Sequence, residues 1–139
     1  MKRFVLDAST TLAWFLDRPT AQYADHIRER LLRGDQGVVP SLWQLEVANG
    51  FISAERRGAF TPSDTTEALD NLDMVVAQSI ENNPDTVSMR SALHTARKFQ
   101  LTAYDAVYLE TALRQNLPLA TLDRQLLAAA SKAGVEILP

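Results

Sequence analysis

Five short apolar runs, separated by longer segments with helical spacing, constrain the fold of this chain more than any other feature. Each run has three or four residues. Short buried strands that alternate with helices are typical of parallel sheets that helices cover on both faces. The pattern therefore predicts an α/β fold, a three-layer α/β/α sandwich with a short, mostly parallel central sheet. The five runs occupy residues 4–6, 38–40, 74–77, 118–121 and 135–137.

The segments between these runs carry the capping residues and the apolar spacing of helices. Ser9 or Thr10 can cap the first helix, and Ser41 can cap a helix that ends near Arg57. Residues 74–77 could extend the helix that precedes them, but their two adjacent valines favour a strand. The other helices are predicted at 21–33, from 61 onward, and at 84–99, 103–115 and 123–133.

The length and composition exclude several classes of site. The 139 residues suit a single domain over 1–139. The chain has no cysteine and two histidines, His26 and His94, which we expect at the surface, so any metal must be held mainly by oxygen atoms. The N-terminus lacks the apolar segment of a signal peptide, and no apolar run approaches the roughly 20 residues that span a membrane. We therefore expect a cytoplasmic protein without a membrane partner.

The net charge of −3 does not decide whether a nucleic acid is the partner. If four of the 17 acids are gathered in one metal site, the remaining 13 are balanced by the 14 lysines and arginines. The rest of the surface then has no general repulsion toward phosphate. The candidates for phosphate contacts are Arg56, Arg57, Arg97, Lys98 and Arg124.

Four acidic residues stand out by their positions. Asp7 and Asp123 follow predicted strands, at the edge of a parallel sheet where ligands bind, although each could simply be a helix N-cap. Glu46 and Asp105 lie inside predicted helices among apolar residues, and Asp105 also suits the first turn of its helix. Carboxylates buried together repel by roughly 4 kcal/mol per pair at about 4 Å and an effective dielectric near 20. Such a cluster needs protons or a hard cation such as Mg²⁺ or Mn²⁺.

Four segments that contain these acids carry a family resemblance. They read VLDASTTLAWF, PSLWQLEVANGF, LTAYDAVYLETAL and PLATLDRQL, in this order along essentially the whole chain. In that order they resemble PIN-domain ribonucleases, especially the VapC-type toxins of toxin–antitoxin pairs. Some members carry a further acid shortly after the last Asp, where this chain has Arg124 and Gln125, so the number of metal ions stays open.

The resemblance implies roles for individual residues. Asp7, Glu46, Asp105 and Asp123 correspond to the catalytic, metal-binding acidic quartet. Asp7 and Asp105 are implied as direct ligands of Mg²⁺ or Mn²⁺, and Glu46 and Asp123 as further ligands or as residues that hold metal-bound water. The resemblance also implies supporting polar positions, which are Ser9, Asn49 and Thr121 in this sequence. It further implies a metal-dependent endoribonuclease in which activated water hydrolyses the RNA phosphodiester, leaving 5′-phosphate and 3′-hydroxyl ends. The implied partners are RNA, a cognate antitoxin protein and a second copy in a homodimer.

Other functions are compatible with parts of the pattern. A nuclease of this type could process RNA without an antitoxin, and the same fold could serve as a non-catalytic binding module. A phosphatase of the haloacid dehalogenase type needs a second Asp two residues after Asp7, where this chain has Ser9. A response-regulator receiver needs a lysine after a late strand, but the lysines are Lys2, Lys98 and Lys132. These two phosphate-transfer classes therefore fit the sequence less well.

Overall fold

The computed structural model describes residues 1–17 and 19–139. Four parallel strands form one sheet in the order β3-β2-β1-β4. Helices flank this sheet, and the predicted α/β class is confirmed. The strands are β1 (Arg3–Leu6), β2 (Gln36–Val39), β3 (Ile80–Asn82) and β4 (Leu119–Ala120). The helices in the described residues are α1 (Ala8–Leu16), α2 (Gln22–Leu32), α3 (Leu42–Arg56), α4 (Pro62–Ser79), α5 (Met89–Phe99), α6 (Ala103–Gln115) and α7 (Arg124–Ala133).

Strand β1 lies in the middle of the sheet and sets the position of the chain segments around it. Val5 pairs with Val38 of β2 on one side and with Leu119 of β4 on the other. Val5 and Leu6 are fully buried, as expected of a central strand covered on both faces. Because the strands are parallel, the ends of β1 and β4 meet at the same edge of the sheet. The backbone N–H of Asp7 donates to Ala120 at this edge, at 3.0 Å.

Residues 74–77 are helical, so the strand predicted there is wrong. Helix α4 begins with a capping box between Thr61 and Asp64 and continues to Ser79, and β3 follows it. Its buried residues Ala68, Leu72 and Ser79 follow the helical period through the two valines. The β-branched pair therefore lies on the inner side of a helix, where the period outweighs the strand preference of valine.

Other details of the elements also differ from the prediction. Helix α5 begins at Met89 rather than at residue 84, because the Ser88 hydroxyl accepts the N–H of Ser91 and caps the helix there. The predicted last strand is a single bridge between Leu119 and Ile137, since β4 has only two residues to pair. Ser41 occupies the N-cap position of α3 without a side-chain cap bond.

Aromatic residues of α1 and α3 form part of the core. Trp14, Trp43 and Phe51 are buried, and the ring of Phe15 lies 5.8 Å from that of Phe51 between their centroids. Both histidines are exposed, as predicted. No helix in the described part of the chain is long and apolar enough to cross a membrane.

Candidate active site

Asp7 lies at the end of β1, in the N-cap position of α1, and is only 4% exposed. Its Oδ2 accepts two hydrogen bonds, from Ser9 Oγ at 2.6 Å and from Thr121 Oγ1 at 2.7 Å. The prediction that Ser9 or Thr10 caps α1 is therefore wrong. The Ser9 hydroxyl binds the carboxylate instead, because the strand end brings that carboxylate within its reach.

The hydroxyls of Ser9 and Thr121 each make a second bond that fixes their direction. Ser9 Oγ accepts the backbone N–H of Leu122 at 3.1 Å, and Thr121 Oγ1 accepts that of Asp123 at 3.0 Å. A hydroxyl has one proton, so each can accept from the backbone and still donate to Asp7. This network ties the carboxylate at the end of β1 to the turn between β4 and α7.

Asp123 caps α7, so the interpretation of this residue as a helix N-cap is confirmed. Its Oδ1 accepts the N–H of Leu126 at 2.9 Å. The residue is partly exposed, and its second oxygen, Oδ2, has no donor among residues 1–17 and 19–139. Capping therefore orients the carboxylate at the strand edge and leaves Oδ2 for another ligand.

Glu46 and Asp105 are positioned by two helices, α3 and α6. Thr102 caps α6 by accepting the N–H of Asp105 at 3.1 Å, which places Asp105 in the first turn as expected. Glu46 lies on α3 and accepts a hydrogen bond from the Tyr108 hydroxyl at 2.6 Å. Tyr108 is one helical turn after Asp105 and is fully buried.

The charges of the four acids influence one another. Burial raises the pKa of Asp7, the charge of Asp123 raises it further, and the hydrogen bonds from Ser9 and Thr121 oppose the shift. Burial, Asp123 and Asp7 together raise the pKa of Asp105 to about 6. Burial also raises the pKa of Glu46, with further contributions from Asp7 and Asp105. The fold therefore brings the predicted quartet into one electrostatic neighbourhood.

Tyr108 is the residue of this neighbourhood that the sequence reasoning missed. Its pKa is raised by burial and by the hydrogen bond to Glu46, so the phenol stays protonated and acts as a donor. A signal was present in the sequence, since Tyr108 follows Asp105 by three positions and shares its helix face. A buried tyrosine hydroxyl usually needs a partner. Which partner it has depends on where the fold places α3 relative to α6.

The donor set fits a hard divalent cation in charge and in chemistry. It consists of carboxylate and hydroxyl oxygens without nitrogen or sulfur, which suits Mg²⁺ or Mn²⁺. Partly desolvated carboxylates raise one another's pKa, and a bound cation offsets this repulsion and favours their ionised form. In the described residues, no three acidic or histidine side chains converge as a closed metal-binding group. Asp7 and Asp105 are close enough for the charge of one to raise the pKa of the other. Within the described part of the chain, however, the acids do not form a preformed ligand shell.

The remaining predicted residues take no part in the hydrogen bonds around the four acids in the described part of the chain. Asn49 is exposed on α3, and within the described ranges it makes no hydrogen bond to the four acids. Glu110, which the helical spacing directs away from the acids, bonds to Thr95 and Arg114 instead. The basic candidates are all exposed and make no ion pair in the part of the chain that the structure describes; they are Arg56, Arg57, Arg97, Lys98 and Arg124.

The fold and the site define an α/β domain with carboxylates gathered at one edge of a parallel sheet. Residues 4–132 match the model of the PIN domain family, and the chain belongs to this family. PIN domains are generally nucleases.

A solved structure supports the same fold. The chain is similar to PAE2754 from Pyrobaculum aerophilum, with a TM-score of 0.68 and 24% sequence identity. The match covers 92% of this chain and 79% of that one. A search of curated proteins found no match. At this identity the structural likeness establishes the architecture, and the activity must be argued from the site.

Proposed function

We propose that this protein is a cytoplasmic, Mg²⁺- or Mn²⁺-dependent endoribonuclease and the toxin of a toxin–antitoxin pair. One observation carries the nuclease part of the proposal. Asp7, Glu46 and Asp105 come from three separate elements, and each has a pKa raised by burial and by the charge of another acid in the set. In a family that generally acts on nucleic acids, such a cluster favours metal-assisted phosphodiester hydrolysis.

The roles of the residues follow from their surroundings. Asp7 and Asp105 would hold the cation, with Asp7 kept in place by Ser9 and Thr121. Glu46 and Asp123 each keep one oxygen free of donors from the described residues, so they would complete the cation's ligands, directly or through a bound water, and orient the attacking water. A bound divalent cation supplies the positive charge that offsets the carboxylates and polarises the scissile phosphate.

The choice of RNA as the substrate rests on the resemblance and on the exposed basic residues. Arg97 and Lys98 lie in the last turn of α5, shortly before the loop that leads to Asp105. Helix α5 contains no acidic residue, so nothing on this helix neutralises them. We assign to them contacts with phosphates that flank the scissile bond.

The proposed protein partners are a cognate antitoxin and a second copy of the chain. We assign the antitoxin to an apolar groove between α3 and α4, which is lined by Trp43, Phe51 and Leu72 among others. Leu45 and Met89 are large apolar residues with more than half of their surface exposed, and Leu45 is the sequence neighbour of Glu46. Covering this exposed surface is the role we assign to the homodimer.

The direct test is cleavage of a mixed pool of tRNA and ribosomal RNA by the purified protein with Mg²⁺ or Mn²⁺. We expect fragments that disappear with EDTA and in Asp7→Asn and Asp105→Asn. Asp70→Asn is the matched control, because Asp70 is an exposed acid on α4 and is not among the charges that raise the pKa values of Asp7, Glu46 and Asp105. Cleavage that survives in the two site variants would contradict the proposal. Metal binding without cleavage of any RNA would favour the non-catalytic alternative.

The toxin assignment has a separate test. Expression in a bacterial host should stop growth, and co-expression of an adjacent small gene product should restore it. A nuclease that cleaves in vitro but leaves growth unaffected would instead support the RNA-processing alternative.

A further inference from the structure

Tyr108 connects the two helices that carry Glu46 and Asp105. It follows Asp105 by three positions on α6, so the two side chains leave the same face of the helix. The side chain is fully buried, and its hydroxyl donates to Glu46 Oε1 on α3 at 2.6 Å. A hydrogen bond of this length to a charged oxygen is among the strong ones in proteins.

The direction of this bond decides which oxygen of Glu46 remains available. An ionised carboxylate only accepts hydrogen bonds, and a phenol has a single proton to donate. The proton of Tyr108 is therefore committed to Oε1. No other group in residues 1–17 and 19–139 donates a hydrogen bond to Glu46, so Oε2 is left for a cation or water.

We propose that Tyr108 is a positioning residue that fixes the rotamer of Glu46 and presents Oε2 to the acidic site. This inference rests on the proposed function and adds to it the residue that sets the geometry of one acid. A free glutamate side chain samples several rotamers, and freezing it on ligand binding costs entropy. A hydrogen bond from a buried, rigid ring fixes the side chain during folding, so the entropy is lost before the ligand binds. Hydrogen-bond partners of metal ligands generally orient them in this way.

The alternative is that the bond is only structural, because a buried tyrosine hydroxyl needs an acceptor. In that case Tyr108→Phe lowers the melting temperature but leaves cation binding by the folded protein unchanged. Phenylalanine keeps the buried ring and removes one oxygen, so we expect the variant to fold, with a melting temperature lower by about 5 °C. A positioning role predicts weaker cation binding at temperatures where the variant is fully folded.

The first measurement is calorimetric titration of Mn²⁺ alone into the full chain, at a temperature well below melting. We expect Tyr108→Phe to weaken Mn²⁺ binding by about 10-fold. Tyr104→Phe is the matched control on the same helix, because Tyr104 is 65% exposed and its hydroxyl has no hydrogen-bond partner in the described ranges. We expect this control to bind Mn²⁺ like the wild type.

A double-variant cycle separates the two roles. If Tyr108 acts through Glu46, then Tyr108→Phe should add less than twofold to the loss caused by Glu46→Gln. With RNA as substrate, Tyr108→Phe should lower kcat by about 10-fold and leave KM within twofold, because the bond orients a reacting group.

Each outcome bears on the inference separately from the nuclease proposal. Wild-type Mn²⁺ affinity in Tyr108→Phe, or losses that multiply in the double variant, would overturn the positioning role even if RNA is cleaved. Weakened Mn²⁺ binding without cleavage of any RNA would uphold the role and contradict the nuclease proposal. If the wild type binds no Mn²⁺, both are overturned.

Discussion

Thr121 Oγ1 donates a hydrogen bond of 2.7 Å to Asp7 Oδ2, across 114 positions of sequence. The bond exists because β1 and β4 are parallel neighbours, so the residues that follow them meet at one edge of the sheet. Thr121 also accepts the N–H of Asp123, and one buried hydroxyl thus connects two of the four acids. The site is therefore built into the sheet topology rather than into a loop.

Replacing Thr121 with valine should destabilise the protein. The change preserves shape but removes the donor to Asp7 and leaves the N–H of Asp123 without its acceptor. We expect the free energy of unfolding in urea to fall by about 2 kcal/mol. Thr66→Val is the control, because Thr66 is exposed on α4 and, within residues 1–17 and 19–139, its hydroxyl bonds only to Pro62. Equal losses in both variants would contradict the importance of this bond.

Neutralising Asp105 should stabilise the metal-free protein. Its pKa rises from 3.8 to about 6 on folding, so the folded state binds the proton more tightly than the unfolded state. The stabilisation from this proton is present below pH 3.8 and is lost as the pH rises through about 6. Asp105→Asn should therefore unfold at higher urea concentration at pH 7, by about 1 kcal/mol after allowance for solvent screening.

The control for this measurement is Asp70→Asn, which replaces an exposed acid on α4. It shows the effect of removing one exposed carboxylate, whereas Asp105→Asn should flatten the dependence of stability on pH between pH 4 and 7. If Asp105→Asn lowered the stability of the metal-free protein at pH 7, the description of the site as a set of mutually repelling carboxylates would be wrong.

Binding of Mn²⁺ should depend on pH in the same range. A carboxyl group must lose its proton to bind a cation, and the pKa of Asp105 is about 6. We expect the affinity for Mn²⁺ to rise as the pH increases through 6, with release of protons to the buffer. Calorimetry in two buffers of different ionisation enthalpy measures that release. A flat affinity between pH 5 and 7 would exclude Asp105 as a ligand.

Removing Arg97 and Lys98 should weaken RNA binding through the loss of phosphate contacts. For single strands, log affinity falls with log salt by about 0.7 for each phosphate neutralised. Arg97→Ala with Lys98→Ala should therefore reduce the magnitude of this slope by about 1.4. Lys132→Ala, in the last turn of α7, is the control for general charge loss. An unchanged slope in the double variant would place the RNA elsewhere.

Much of the fold could be predicted because its determinants are local. The run at 4–6 is apolar and short, and Asp7 follows it. This pattern predicts a buried strand that ends at a polar edge of the sheet. Residues 74–77 were harder to predict, since they suit a strand by composition and a helix by period. Only packing against the rest of the protein, as in the bond from Ser79 to Leu31, decides between the two.

The candidate site also has a part that the sequence predicts and a part that it does not. Asp7 and Asp123 could be found from their places after predicted strands. The partner of Glu46 could not, because Tyr108 is 62 positions away and reaches Glu46 only in the folded chain. A sequence shows which side chains are suited to chemistry, and the tertiary contacts show which oxygen atoms remain free for it.

The most direct test of the central claim is RNA cleavage in ¹⁸O-labelled water, followed by mass analysis of the fragment ends. If this acidic site directs water onto the phosphodiester, the fragments carry one ¹⁸O in a 5′-phosphate and end in an unlabelled 3′-hydroxyl. The label should require Mg²⁺ or Mn²⁺ and should be absent with Asp7→Asn. Fragments that end in a 2′,3′-cyclic phosphate, or labelled fragments from Asp7→Asn, would contradict the account.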